Sequence, residues 1–119
     1  MDVRSEEFSC DPVQFGHSLR QSLPPAGERA AREVLRKFMA GPVYEYGANR
    51  NTPSIRGTSG LSPHLRCGNI GIRAILAELK SARQNAESPG QRENCDVFLN
   101  ELVWREFYLQ ILHNFPHVM

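Results

Sequence analysis

The chain has 119 residues and a mass of 13.5 kDa, enough for one small domain and too short for two. A composition that is 40% hydrophobic and 23% charged is that of an ordinary globular chain rather than a disordered one. Its 14 basic and 13 acidic side chains leave a net charge of +1, which argues against a saturating, histone-like nucleic-acid binder but leaves room for a local basic patch.

No apolar run approaches the roughly 20 residues of a membrane helix, and the opening MDVRSEEFSC lacks the apolar core of a signal peptide. Three cysteines, Cys10, Cys67 and Cys95, are odd in number, and no pair has the two-residue spacing of a zinc site. His113 and His117 are separated by Pro116, which interrupts a shared helical face. The expectation is a cytoplasmic protein with reduced thiols, no metal and no membrane contact.

Residues 1–26 show no sustained period and end in Leu23-Pro24-Pro25-Ala26, which reads as a linker or tail. From Gly27 the pattern becomes helical. Ala31, Val34, Leu35, Phe38 and Met39 form one apolar stripe, and Gly41-Pro42 supplies a stop. A polar stretch from Tyr44 to about Gly71 follows, dense in Gly, Asn, Ser, Thr and Pro. Ile72, Ile75, Leu76 and Leu79 mark a second amphipathic helix ending near Arg83, and 85–93 reads as a connector. The last helix is expected over about 94–114, with Val97, Phe98, Leu102, Leu109 and Leu112 as its buried stripe. Val103, Trp104, Phe107, Tyr108 and Ile111 extend the apolar surface around it, more than the two shorter helices can cover. With no strand-like alternation, the class is all-α.

Two constellations carry chemistry. Gly57-Thr58-Ser59-Gly60-Leu61-Ser62-Pro63 is a turn rich in free amides, with Ser62 expected as a helix cap and Pro63 in the first helical position. It is either an ordinary capped turn or an anion site suited to phosphate. Glu101, Trp104, Arg105 and Tyr108 share a helical face offering a carboxylate, an indole, a guanidinium and a phenol. That face is either a Glu–Arg surface pair beside a core tryptophan, or a platform for a planar ring and a phosphate. Arg50, Arg56, Arg66 and Arg73 either solvate a surface or line a nucleic-acid groove. No catalytic Ser/His/Asp or Cys/His arrangement is suggested.

The order and spacing of these pieces resemble the flavin-binding helical domain of the DNA photolyase and cryptochrome family. The matching text is GERAAREVLRKFM, Tyr46, Arg50-Asn51-Thr52-Pro53, GTSGLSPHL, NIGIR, ELVWREFY and HNFPHV, from about residue 25 onward. The resemblance implies an incomplete, N-terminal part of that all-α FAD domain over residues 27–119, after the tail of 1–26. It implies light-driven electron transfer from reduced FAD to pyrimidine dimers in damaged DNA, with no catalytic residue of the protein's own. By the same resemblance Tyr46 contacts flavin, and Thr58, Ser59, Gly60, Leu61 and Ser62 grip the FAD diphosphate with Arg105 beside them. Arg50 faces the DNA backbone, Glu101 hydrogen-bonds the dimer, Trp104 stacks on it, and Tyr108 lies in the DNA-facing segment.

Glu101 and Trp104 resemble members that repair cyclobutane dimers, and GTSGLSP with GIR resembles cyanobacterial-type members. Thr52 and Cys67 stand where aromatics are usual. Family members are several times longer, and Trp104 is the only tryptophan here, so no tryptophan relay lies within this chain. The expectation is a fragment that is inactive alone, partnered by a complementary photolyase fragment or self-associating through its exposed apolar helix. The alternative is a non-catalytic helical remnant or a cryptochrome-like signalling module.

Overall fold

The computed structural model describes residues 25–118, so the expected tail of 1–26 falls almost wholly outside the described residues, as does Cys10. Every regular element among the described residues is helical, in agreement with the all-α expectation. Helix α1 (Glu28–Met39) buries Ala31, Leu35, Phe38 and Met39, the stripe set by their spacing, and holds Val34 at its margin. Its outer face is laced by Arg32–Glu28 and Arg36–Glu33 ion pairs, both 2.8 Å long. The chain then turns through a 3₁₀ segment, Pro42–Glu45, into the single-turn helix α2 (Tyr46–Asn49).

After the polar loop come α3 (Ser62–Arg66), α4 (Ile72–Gln84), α5 (Pro89–Asn114) and a closing 3₁₀ turn, Pro116–Val118. The core sits where α1, the Pro42–Asn49 segment, α4 and the first half of α5 converge. Val43, Ile75 and Cys95 are fully buried there, and Leu61 anchors the loop beneath them. Tyr44 fastens the 3₁₀ segment to α4 by donating its hydroxyl proton to the Ala82 carbonyl at 3.0 Å. Burial pushes the Cys95 thiol above its ordinary range, which makes it an inert packing group rather than a nucleophile.

Four sequence expectations change. The expected connector over 85–93 is short, because α5 begins at Pro89. Ser88 is its cap: the Ser88 hydroxyl accepts from the Gln91 amide at 3.3 Å, and the Gln91 side-chain oxygen accepts from the Glu87 amide at 2.7 Å. Conversely, Ser62 is the first helical residue of α3 rather than its cap. Leu61 occupies the cap position, and Ser59 Oγ instead accepts from the Leu61 amide at 3.3 Å. In α4, Leu76 faces solvent and Ala82 takes the buried position one turn on from Leu79. In α5 only Phe98 and Leu102 of the expected stripe are buried, with Val97 partly so. Leu109 and Leu112 are exposed, because they lie beyond Leu102, the last position of the helix that the core covers.

Two contacts fix α2 and the loop that follows it. The Gly47 amide donates to Asn94 Oδ1 at 2.7 Å, while Asn94 Nδ2 donates to the Gly90 carbonyl at 2.9 Å, so α5 clamps the start of α2. Gly57 packs against the Asn49 backbone so closely that a Cβ would lie 2.3 Å from the Asn49 carbonyl oxygen. Replacing Gly57 with Ala therefore forces the loop away from α2. We expect a destabilisation of about 1–3 kcal/mol, visible as a fall in thermal midpoint with unchanged far-ultraviolet dichroism at low temperature.

Between α4 and α5, Arg83 grips Asp96 with two bonds of 2.7 and 3.1 Å. Hydrogen bonding to Arg83 lowers the Asp96 carboxyl below its ordinary value. An acid depressed in this way adds stability above its unfolded pKa of about 3.9 and loses it as pH falls through the folded value. Both side chains are about half exposed, so water screens the contribution. Asp96→Asn should lower the thermal midpoint slightly at pH 7, and the gap to the parent should close below about pH 4.

Candidate functional site

The residues singled out from the sequence fall into two groups. The first centres on α2 and the middle of α5. The Tyr46 ring is buried, edge-on to Phe38 at 5.8 Å and to Phe98 at 5.1 Å between centroids. One turn later the Arg50 guanidinium lies 5.9 Å from the centre of the Tyr46 ring and forms an ion pair with Glu101. Burial raises the Tyr46 phenol above its ordinary pKa and the negative charge of Glu101 adds to this, so it stays a neutral hydroxyl.

The local pairing alternative for Glu101 was Arg105, four residues on. Its partner is Arg50, 51 residues away in sequence, and Arg105 pairs with its neighbour Glu106. Both ion pairs are partly exposed, with side-chain exposures of 32% and 44% for Arg50 and Glu101. Charges in such a setting exchange partners readily, because water stabilises either side of the exchange. Beyond Leu102 the large apolar side chains of the helix are mostly exposed. Trp104 is 53% exposed and Tyr108 57%, so neither ring belongs to the core formed by the described residues. Trp104, Phe107 and Tyr108 form a connected aromatic surface with centroid separations of 5.6–6.0 Å.

The second group is the turn from Gly57 to Ser62. Gly60 takes a left-handed backbone, φ +68°, and its position faces Val34 of α1. Thr58 and Gly60 are exposed and Leu61 is buried, so the turn is pinned at its end and open at its crest. The amides of Thr58, Ser59 and Gly60 donate to no group among the described residues. These are three adjacent donors without acceptors at the crest of the turn. Thr58, Ser59 and Gly60 line a cleft of about 1110 Å³ against α1. A second cleft of about 690 Å³ meets the same loop at Arg56 and Gly57. Neither is lined by Tyr46, Arg50, Glu101, Trp104, Arg105 or Tyr108, so the described residues do not enclose the two groups in one cavity.

Sequence reasoning missed Asn94 and Phe98 as the residues that seat α2 and Tyr46. The signal for Phe98 was its place on the helical stripe; Asn94 offered none, because its role depends on a partner 47 residues away. Of the four dispersed arginines, Arg50 enters the α5 group and Arg56 the clefts at the turn, while Arg66 and Arg73 lie exposed elsewhere.

No protein-family model matches the chain. Among curated proteins it is 42% identical over 93 residues to a deoxyribodipyrimidine photo-lyase of Halobacterium salinarum, covering 77% of this chain and 19% of that protein. It is 41% identical over 90 residues to a protein of the same name from a Synechococcus strain, covering 76% and 19%. An uncharacterised 31.6 kDa protein from another Synechococcus strain is 43% identical over 110 residues, covering 88% of this chain and 39% of that protein. The chain thus spans about a fifth of the length of the photo-lyases it matches.

Proposed function

This chain carries a segment of the DNA photolyase family, and on that premise we propose that it supplies one wall of an FAD- and DNA-contacting site for light-driven repair of cyclobutane dimers. The observation that carries this reading is the crest of unpaired amides at Thr58, Ser59 and Gly60, followed at family spacing by the Glu101–Trp104–Arg105 face. On this reading residues 27–119 are part of the helical FAD domain.

The residues present fit the diphosphate of FAD. Thr58, Ser59 and Gly60 offer it amides, buried Leu61 fixes the end of the turn, and Ser62 adds a hydroxyl. Arg105, paired with Glu106 and outside the cleft that the turn lines, is assigned a place beside the diphosphate by family resemblance alone. The same residues do not complete a pocket for the flavin ring, since Tyr46 is already enclosed by Phe38 and Phe98. When bound, the flavin supplies the electron that splits the dimer. The protein's part is to hold and orient. Arg50 turns to a DNA phosphate, Glu101 accepts a hydrogen bond from the pyrimidine edge, and Trp104 with Tyr108 gives a flipped base an apolar face. The partial exposure of the Arg50–Glu101 pair supports this exchange of partners. Free thiols at Cys67 and Cys95 support a cytoplasmic setting.

A second reading, a non-catalytic helical interaction module, is favoured by one observation: Val103, Trp104, Phe107, Tyr108 and Leu109 present a contiguous exposed surface. Such a surface suits either a complementary photolyase chain or a second copy. The purified chain should carry far less than one flavin per molecule; stoichiometric absorbance in the blue would contradict the incomplete ring pocket. Co-expression with a chain bearing the remaining photolyase sequence should restore flavin and light-dependent repair, and failure of both favours the interaction module. In the restored complex, Trp104→Ala should weaken binding of dimer-containing DNA at least about tenfold and leave flavin content unchanged. Equal loss of both would reject the stacking role.

A further inference from the structure

The cleft between α1 and the Gly57–Ser62 turn has an uneven distribution of charge. Its apolar lining includes Val34, Pro42 and Pro63, and its rim carries Arg29, Arg32, Arg36, Lys37 and Arg56 against a single acid, Glu33. Counting Glu28, which pairs with Arg32 at the rim, a chain of net charge +1 gathers three positive charges in excess along one cleft. Arg32 and Arg36 are held by Glu28 and Glu33, and Lys37 lies 3.4 Å from Glu33. Arg29 and Arg56 have no carboxylate partner among the described residues.

We propose that this cleft binds the phosphodiester backbone of single-stranded nucleic acid. Arg29 and Lys37 are eight residues apart on one helix, about 12 Å along its axis, and Arg56 faces them from the loop. Two adjoining phosphates of a dinucleotide do not span such a row, whereas successive phosphates of a strand do. Between the cations, Val34, Pro42 and Pro63 offer apolar surface to unpaired base faces, which a duplex keeps stacked inside. The site is distinct from the α5 face but shares Thr58, Ser59 and Gly60 with the proposed diphosphate site, so strand and flavin would compete for it. Its cations lie on α1 and at Arg56, and it needs neither damage nor light.

The test is titration of the full chain, in the dark and without flavin, with a fluorescein-labelled, undamaged oligothymidylate of about twelve nucleotides. Three cations engaging a single strand give a slope of about −2 in log K against log salt, or about 20-fold weaker binding between 50 and 200 mM. The triple variant Arg29→Gln, Lys37→Gln, Arg56→Gln should bind at least tenfold more weakly at 50 mM salt with a slope near zero. The control Arg66→Gln, Arg73→Gln, Lys80→Gln removes the same charge outside the cleft and should stay within threefold of the parent. Matching far-ultraviolet dichroism shows that all three proteins are folded alike. Equal losses in the two variants, or none in the first, would overturn the proposal. So would full displacement of the strand by inorganic pyrophosphate at equal phosphate concentration, which marks a small-anion site instead.

Discussion

Three rings hold this molecule together. Phe38 of α1, Tyr46 of α2 and Phe98 of α5 meet in mutual edge or tilted contacts, with centroids 4.9–5.8 Å apart. Each belongs to a different helix, so the trio fixes three axes at one point. Edge-on aromatic packing is directional as well as hydrophobic, and it resists sliding in a way that aliphatic contact does not. Much else follows from that junction. Arg50 reaches Glu101 because Tyr46 sets the rotation of α2 against α5. Asn94, one turn before Phe98, reaches Gly47 for the same reason.

The helices themselves were legible from spacing, because a 3.6-residue period is a local property. Ala31, Leu35 and Phe38 in α1, and Ile75 and Leu79 in α4, stand buried where the period puts them. What failed was local information with more than one solution. Ser-Pro occurs twice, at Ser62 and at Ser88, and only the second has the capping-box spacing, a signal the preference for Ser62 overlooked. The structure uses the second, where Gln91 three residues on completes the exchange, and passes over the first, where Ser59 already serves the turn. Leu109 and Leu112 repeat the apolar period of Phe98 and Leu102, yet a period names a face and not what covers it.

The candidate site was legible in the same uneven way. Residue types and spacing identified the amide-rich turn and the aromatic face. They did not show that Glu101 answers to Arg50, or that Arg105 answers to Glu106, since such choices depend on which loop folds back where. Near-neutral overall charge also concealed a local imbalance. The acids that offset α1 lie elsewhere in the sequence, on α5 and in residues 1–24, so the sum over the chain says little about the field at any one face.

Helix α5 has 26 residues, about 39 Å of unbroken α-helix with no proline past its first position. Its buried positions run from Cys95 to Leu102, and the aromatic side chains beyond stand exposed. The two stretches share one hydrogen-bonded rod, so the molecule has no hinge between the aromatic surface at Trp104 and the ring junction at Phe98. A sideways load applied to the exposed stretch arrives at that junction as torque, multiplied by the length of the arm. Whatever grips this helix thereby gains mechanical access to the centre of the bundle.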